Sequence, residues 1–76
     1  MKPRLNTSEY VNTHGKEPKG RGSWWLEITA SDDTGRFTTE RYNERGTLTD
    51  AVKSAIRNMK QDVSGIKKFI EVKVLP

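Results

Sequence analysis

Few side chains in this sequence could carry covalent chemistry, and those few lack the company that chemistry needs. His14 is the only histidine, and it stands just ahead of Gly15 at the end of a short stretch able to form a helix. A lone histidine in that place reads as a capping or surface group rather than a general base. Asp32 and Asp33 are adjacent carboxylates with no histidine or cationic partner at a useful spacing. A hairpin turn needs such residues for its own backbone hydrogen bonds. No serine or threonine sits in a nucleophile-elbow context. The reading is non-enzymatic, with no metal and no cofactor.

Binding chemistry is better represented. Lys16 to Gly22 is rich in glycine and carries Lys16, Lys19 and Arg21. It lacks the spacing and terminal Lys-Ser/Thr of a P-loop and leads into a strand rather than a helix N-terminus. A clamp on a phosphate backbone and a simple solvated loop both fit it. Directly after it come Trp24 and Trp25. Successive side chains of a strand point to opposite faces, so the two indoles take different environments. Trp24 aligns with Leu26, Ile28 and Ala30 as core, and Trp25 with Glu27 and Thr29 on a half-polar face.

These residues need a scaffold. Met1 to Asn6 is expected to be flexible or laid loosely over the domain. Thr7 is read as the N-cap of a short helix over residues 7–15, with Tyr10 and Val11 packing and Gly15 closing it. Residues 16–22 form the basic loop. Strand one runs from about Ser23 to Ala30, and Ser31 to Gly35 makes the turn. Strand two runs from Arg36 to about Tyr42, and Asn43 to Gly46 ends it. Thr47 and Asp50 form a capping-box-like pair for a helix to about Asp62 or Val63. Its apolar stripe comprises Leu48, Ala51, Val52, Ala55, Ile56, Met59 and Val63. After Ser64-Gly65, Ile66 to Leu75 reads as strand three, with Ile70, Val72 and Val74 on one face and Phe69, Glu71, Lys73 and Leu75 on the other. The fold class expected is α+β: a small three-stranded antiparallel sheet in the order 2-1-3, backed by one main helix, β-β-α-β, with a short N-terminal helix.

On that scaffold the helix covers one sheet face and the other carries Trp25, Phe69 and Tyr42, with Arg36 as a strand-two cation. Aromatics and cations on an open sheet can stack bases. They can also anchor a protein interface, or be covered by Leu5, Tyr10 and Val11 as a satellite core. On the helix, Lys53, Arg57 and Lys60 form a basic stripe that Lys67 and Lys68 could extend.

The whole chain bounds these readings. Seventy-six residues make one small domain, which buries only about 60% of its unfolded surface. Fourteen Lys and Arg against ten Asp and Glu give +4, which favours acidic partners. The absence of cysteine excludes disulfides and thiolate metal sites and suits a reducing compartment. No apolar run reads as a signal peptide or a membrane span, so the expected location is cytoplasmic. Asn6-Thr7-Ser8 matches a glycosylation sequon by chance.

Two resemblances follow from these residues. His14-Gly-Lys-Glu-Pro-Lys-Gly-Arg-Gly-Ser-Trp24 resembles a pattern in short proteins of phages and mobile elements, where it precedes a compact β-β-α-β body. This chain departs from it at Trp25 and Leu26, where a small residue and an aromatic are common. Ser23-Trp-Trp-Leu-Glu-Ile28 through Asp33-Thr-Gly35, with Gly46-Thr-Leu-Thr-Asp-Ala51, is similar to the arm-type DNA-binding domain of phage integrases and to plant AP2-type domains. Those domains enter the major groove with a sheet, and they place three strands before the helix rather than two. The resemblances and the charge imply a regulatory protein that binds nucleic acid, DNA ahead of RNA, or a nucleoprotein complex. The alternative is a phage-encoded inhibitor that binds a host protein, of the anti-defence or anti-CRISPR-like kind. The residues expected to make contact are Lys16, Lys19, Arg21, Trp25, Arg36 and Tyr42, with no membrane partner and a monomer or homodimer as the assembly.

Overall fold

Asp32 begins the fold locally. Its carboxylate accepts hydrogen bonds from the Thr34 hydroxyl at 2.6 Å, the Thr34 amide at 2.9 Å and the Arg36 amide at 3.0 Å. Gly35 supplies the φ of +86° that the turn requires. The Thr34 hydroxyl, with help from the Arg36 amide, holds the Asp32 carboxyl below the usual carboxylate range. This turn joins β2 (Arg21–Asp32) to β3 (Phe37–Thr47) in a computed structural model that describes residues 3–76. The other elements are β1 (Arg4–Asn6), α1 (Ser8–His14), α2 (Leu48–Asp62) and β4 (Ile66–Val74).

The sheet has four strands in the order β1-β4-β2-β3. β2 runs antiparallel to both β3 and β4, while β1 lies parallel to β4. The expected three-stranded antiparallel sheet with one main helix is therefore corrected to a four-stranded mixed sheet with two helices. The reason lies in β1. It is only three residues long, has one apolar side chain, and finds its partner some 65 positions away, where the Arg4 guanidinium meets Glu71 at 3.0 Å. No local pattern announces such a strand. Residues 4–6, expected to be loose, are thus part of the sheet; the same expectation for Met1 and Lys2 lies outside the described residues.

Two further corrections concern register. β3 does not stop at Tyr42 but continues through Asn43–Gly46, and β2 pairs with it back to Arg21. Gly46, at φ +121°, lies opposite Gly22, and the Asn43 amide donates to the Ser23 hydroxyl and the Trp24 carbonyl. Turn-type residues are tolerated there because β3 is an edge strand. In β4 the pairing slips by one residue between Thr29 and Ala30, so that Ile70 is extra. The bulge turns Phe69 to the helix side, where it packs against the core with Lys60 Nζ 5.9 Å from the ring centre.

α2 starts where the Thr47 hydroxyl accepts from the Asp50 amide. It buries Ala51, Ala55 and Met59 against Leu26, Ile28, Ala30, Val72 and Val74. Small residues on its inner stripe bring the helix close to the sheet. α1 lacks the expected Thr7 cap. Asn6 Oδ1 instead accepts from the Ser8 amide and hydroxyl, and the Thr7 hydroxyl turns to Glu17. α1 lies across the end of the sheet and touches residues of both faces, with Tyr10 5.8 Å from Trp24 between ring centres and Glu9 3.1 Å from Lys73.

Trp24 is 5% exposed and donates its indole N–H to the Gly46 carbonyl at 2.9 Å; Trp25 is 53% exposed. Trp24→Ala should cost about 3–5 kcal/mol, enough to leave no cooperative thermal transition in so small a domain. Trp25→Ala should cost about 1 kcal/mol or less. Circular dichroism melts compare the two, and equal losses would put Trp25 in the core.

Candidate functional site

The face of the sheet turned away from α2 is not one surface but two. Alternation places Arg21, Ser23, Trp25, Glu27 and Thr29 of β2 on it, beside Phe37, Thr39, Arg41, Asn43 and Arg45 of β3. β4 adds Glu71 and Lys73, and β1 adds Arg4 and Asn6. Across its middle runs a belt of opposite charges. Arg4 meets Glu71 at 3.0 Å, Arg41 meets Glu27 at 3.0 Å, and Lys73 lies 3.1 Å from Glu9 and 3.8 Å from Glu27. The Arg4 hydrogen bond holds the Glu71 carboxyl below its ordinary range, and the Glu9 hydrogen bond raises the Lys73 ammonium. Each charge in this belt already has an answer.

Above the belt the balance changes. Trp25 lies directly opposite Asn43, with Arg45 opposite Ser23 and Arg21 opposite Thr47. Among the described residues, Arg21, Arg45 and Lys19 have no carboxylate within ion-pair distance. The Asn43 amide, opposite Trp25, donates to the Ser23 hydroxyl, opposite Arg45, at 2.9 Å. The Leu75 amide donates to the Trp25 carbonyl at 2.8 Å, which fixes the backbone behind the ring. Beside Trp25 a cleft of about 310 Å³ opens between α1 and the start of β2, with Lys19, Arg21, His14 and Ser23 on its walls. An apolar plate, mobile cations and amide or hydroxyl groups suit a planar, anion-bearing ligand.

Of the residues expected to make contact, Lys19, Arg21 and Trp25 come together. Lys16 belongs to the same loop but does not line the cleft. Arg36 lies past the hairpin turn, beyond Phe37, which is itself six β2 positions, or about 20 Å, from Trp25. Tyr42 is on the other face. It lies opposite Leu26, packs against the core, and donates its hydroxyl to Asp62 of α2 at 3.1 Å. Phe69 is also on that side, through the bulge. Arg45 and Asn43 were not anticipated, because Asn43-Glu-Arg-Gly46 reads as the end of strand two; Ser23 reads as the start of strand one but was not among the expected contacts. The alternation Arg41, Asn43, Arg45 against Tyr42 and Glu44 was the available signal.

Among the described residues, no group of three or more His, Asp or Glu side chains could hold a metal ion. No helix there is long and apolar enough to cross a membrane. A scan against protein-family models gives no match, and searches of the curated proteins and of the solved structures give none either.

Burial, with the hydrogen bond to Asp62, pushes the Tyr42 phenol up to about 12 from an ordinary value of 10.0. The folded state therefore holds this proton more tightly than the unfolded chain does. Its contribution to stability is complete below pH 10 and is lost as pH rises to about 12. In Tyr10→Phe protein, where Tyr42 is the remaining tyrosine, phenolate absorbance should appear with a midpoint near 12. A midpoint near 10 would mean that Tyr42 is not held against α2.

Proposed function

We propose that the protein is a non-catalytic nucleic-acid-binding protein that stacks an unpaired base on Trp25 and holds the flanking phosphates with Lys19, Arg21 and Arg45. The observation that carries this reading is an exposed indole bordered by Lys19, Arg21 and Arg45, none of which is ion-paired among the described residues. Every base has a π-face, so such a site tolerates sequence and needs single-stranded ligand. Entry of the whole sheet into a duplex groove is not favoured by the middle of that face, where Arg4, Arg41 and Lys73 are already paired with Glu71, Glu27 and Glu9. Absence of catalysis is supported by what the reactive candidates already do. The Asp32 carboxylate is spent on its turn, and His14 stacks on Tyr10 at 4.2 Å between ring centres.

The site offers a small footprint, and that gives the test a quantity. With Lys19, Arg21 and Arg45 on three phosphates, the logarithm of the affinity for a single strand should fall against the logarithm of salt with a slope of about −2. Titration of oligothymidine and oligouridine at low salt should quench tryptophan emission. Trp25→Ala should weaken binding roughly five- to 150-fold, as loss of one stacked base implies. Arg45→Glu should weaken it and flatten the slope, while Arg36→Glu, at the far end, should change neither by much. No binding of either oligonucleotide at low salt, or unchanged binding by Trp25→Ala, would remove the proposal.

A further inference from the structure

The helix side of the sheet holds a second surface that the nucleic-acid reading does not use. α2 lies over β2 and β3 and leaves the β1 edge half covered, so that Leu5 is 48% exposed. Between that edge and the helix runs a groove of about 420 Å³, lined by Pro3, Leu5 and Val72 on the sheet and by Leu48, Val52 and Ile56 on the helix. The three helix residues are spaced i, i+4 and i+8, which makes an apolar ridge inclined to the α2 axis. The groove thus has a sheet floor and a helix wall. A second helix laid beside α2 fits that shape, at the usual spacing of about 8–10 Å between axes. A strand fits poorly, because β1 is three residues long and Pro3 before it has no N–H to offer.

Charge decides which helix. Lys53 lines the groove, and Arg57 and Lys60 continue the same rim at i+4 and i+7. Among the described residues none of the three is ion-paired. The opposite flank of α2 carries Asn58, bonded to Glu44, and Asp62, bonded to Tyr42. The groove side of the helix thus carries the cations Lys53, Arg57 and Lys60, and no acid is among the residues lining the groove. We infer that this groove docks an amphipathic helix of a partner protein, with its apolar stripe against Leu5, Val52 and Ile56 and an acidic flank against Lys53, Arg57 and Lys60. A second copy of this chain would bring the same cations to the same rim and is disfavoured.

The test is a selection from a displayed library of helices of α2's length, with a fixed leucine stripe and random flanks. The full chain serves as bait, and its Leu5→Glu variant, checked for an unchanged circular dichroism spectrum, serves as the counter-bait. Helices with Asp and Glu concentrated on one flank should be enriched. As synthetic peptides they should lose at least tenfold in affinity to Leu5→Glu and to Lys53→Glu/Arg57→Glu, and nothing to Trp25→Ala. That last comparison separates this proposal from the nucleic-acid one. No enrichment over the counter-bait, or enrichment without an acidic flank, would overturn it. Binding of an oligonucleotide that Lys53→Glu abolishes and Leu5→Glu spares would assign the rim to phosphates and overturn it too.

Discussion

The indole of Trp24 sits at the junction of four elements, and its single hydrogen bond sets where each of them goes. Its N–H reaches the Gly46 carbonyl, so the end of β3 is drawn over the start of β2. Thr47 follows at once and caps α2, which means the same contact decides where the helix begins. Tyr10 of α1 closes over the ring from the end of the sheet. A slip of one residue in β2 would expose Trp24 and bury Trp25, and would carry Leu26, Ile28 and Ala30 out of the core with it. In a chain this short such a loss is not recoverable, because one cluster of buried residues holds the described part of the fold. The outward direction of Trp25 is therefore a consequence of how firmly its neighbour is held.

The charges on the open face follow a related logic. Surface ion pairs contribute little to stability, about 0–1 kcal/mol each. Their larger effect here is to remove charge from the middle of the sheet. Glu27 is shared between Arg41 and Lys73, and Glu71 is engaged by Arg4. Among the described residues, Arg21 and Arg45 beside Trp25 on the open face, with Lys19 from the adjoining loop, have no ion-pair partner. A net charge of +4 is a weak statement about function; its distribution over the surface is a stronger one.

The sequence announced some of this and hid the rest for identifiable reasons. Alternation from Trp24 to Ala30 is dense enough to place both indoles, since every second residue is apolar and no glycine interrupts. The helix stripe from Leu48 to Met59 is legible for the same reason at a different period. β1 was not legible, because three residues cannot display a period and their partner lies at the other end of the chain. The Ile70 bulge was hidden because Ile66 to Leu75 looks regular when read alone; only its pairing with β2 shows that one residue is extra. Asn43 to Gly46 misled in the opposite way. Its residues favour turns in isolation, and the sheet overrode them because an edge strand needs bonds on one side only. Two residues of the candidate site, Arg45 and Asn43, were lost to that one misreading.

The two surfaces also constrain each other. They lie on opposite sides of one layer of sheet, and the residues between them, Leu26 and Ile28 in β2 with Val72 in β4, are fully or almost fully buried. Neither surface can recruit those side chains without emptying the core. Each is built instead from what the core leaves over: the outward half of β2 and β3 on one side, the flank of α2 and the β1 edge on the other. β1 joins them physically, since Leu5 faces the groove while Arg4 and Asn6, its neighbours, tie down Glu71 on the open face. A strand too short to see in the sequence thus completes the neutral belt on one face and lines the apolar groove on the other. The same alternation that separates Trp24 from Trp25 is repeated there within three residues.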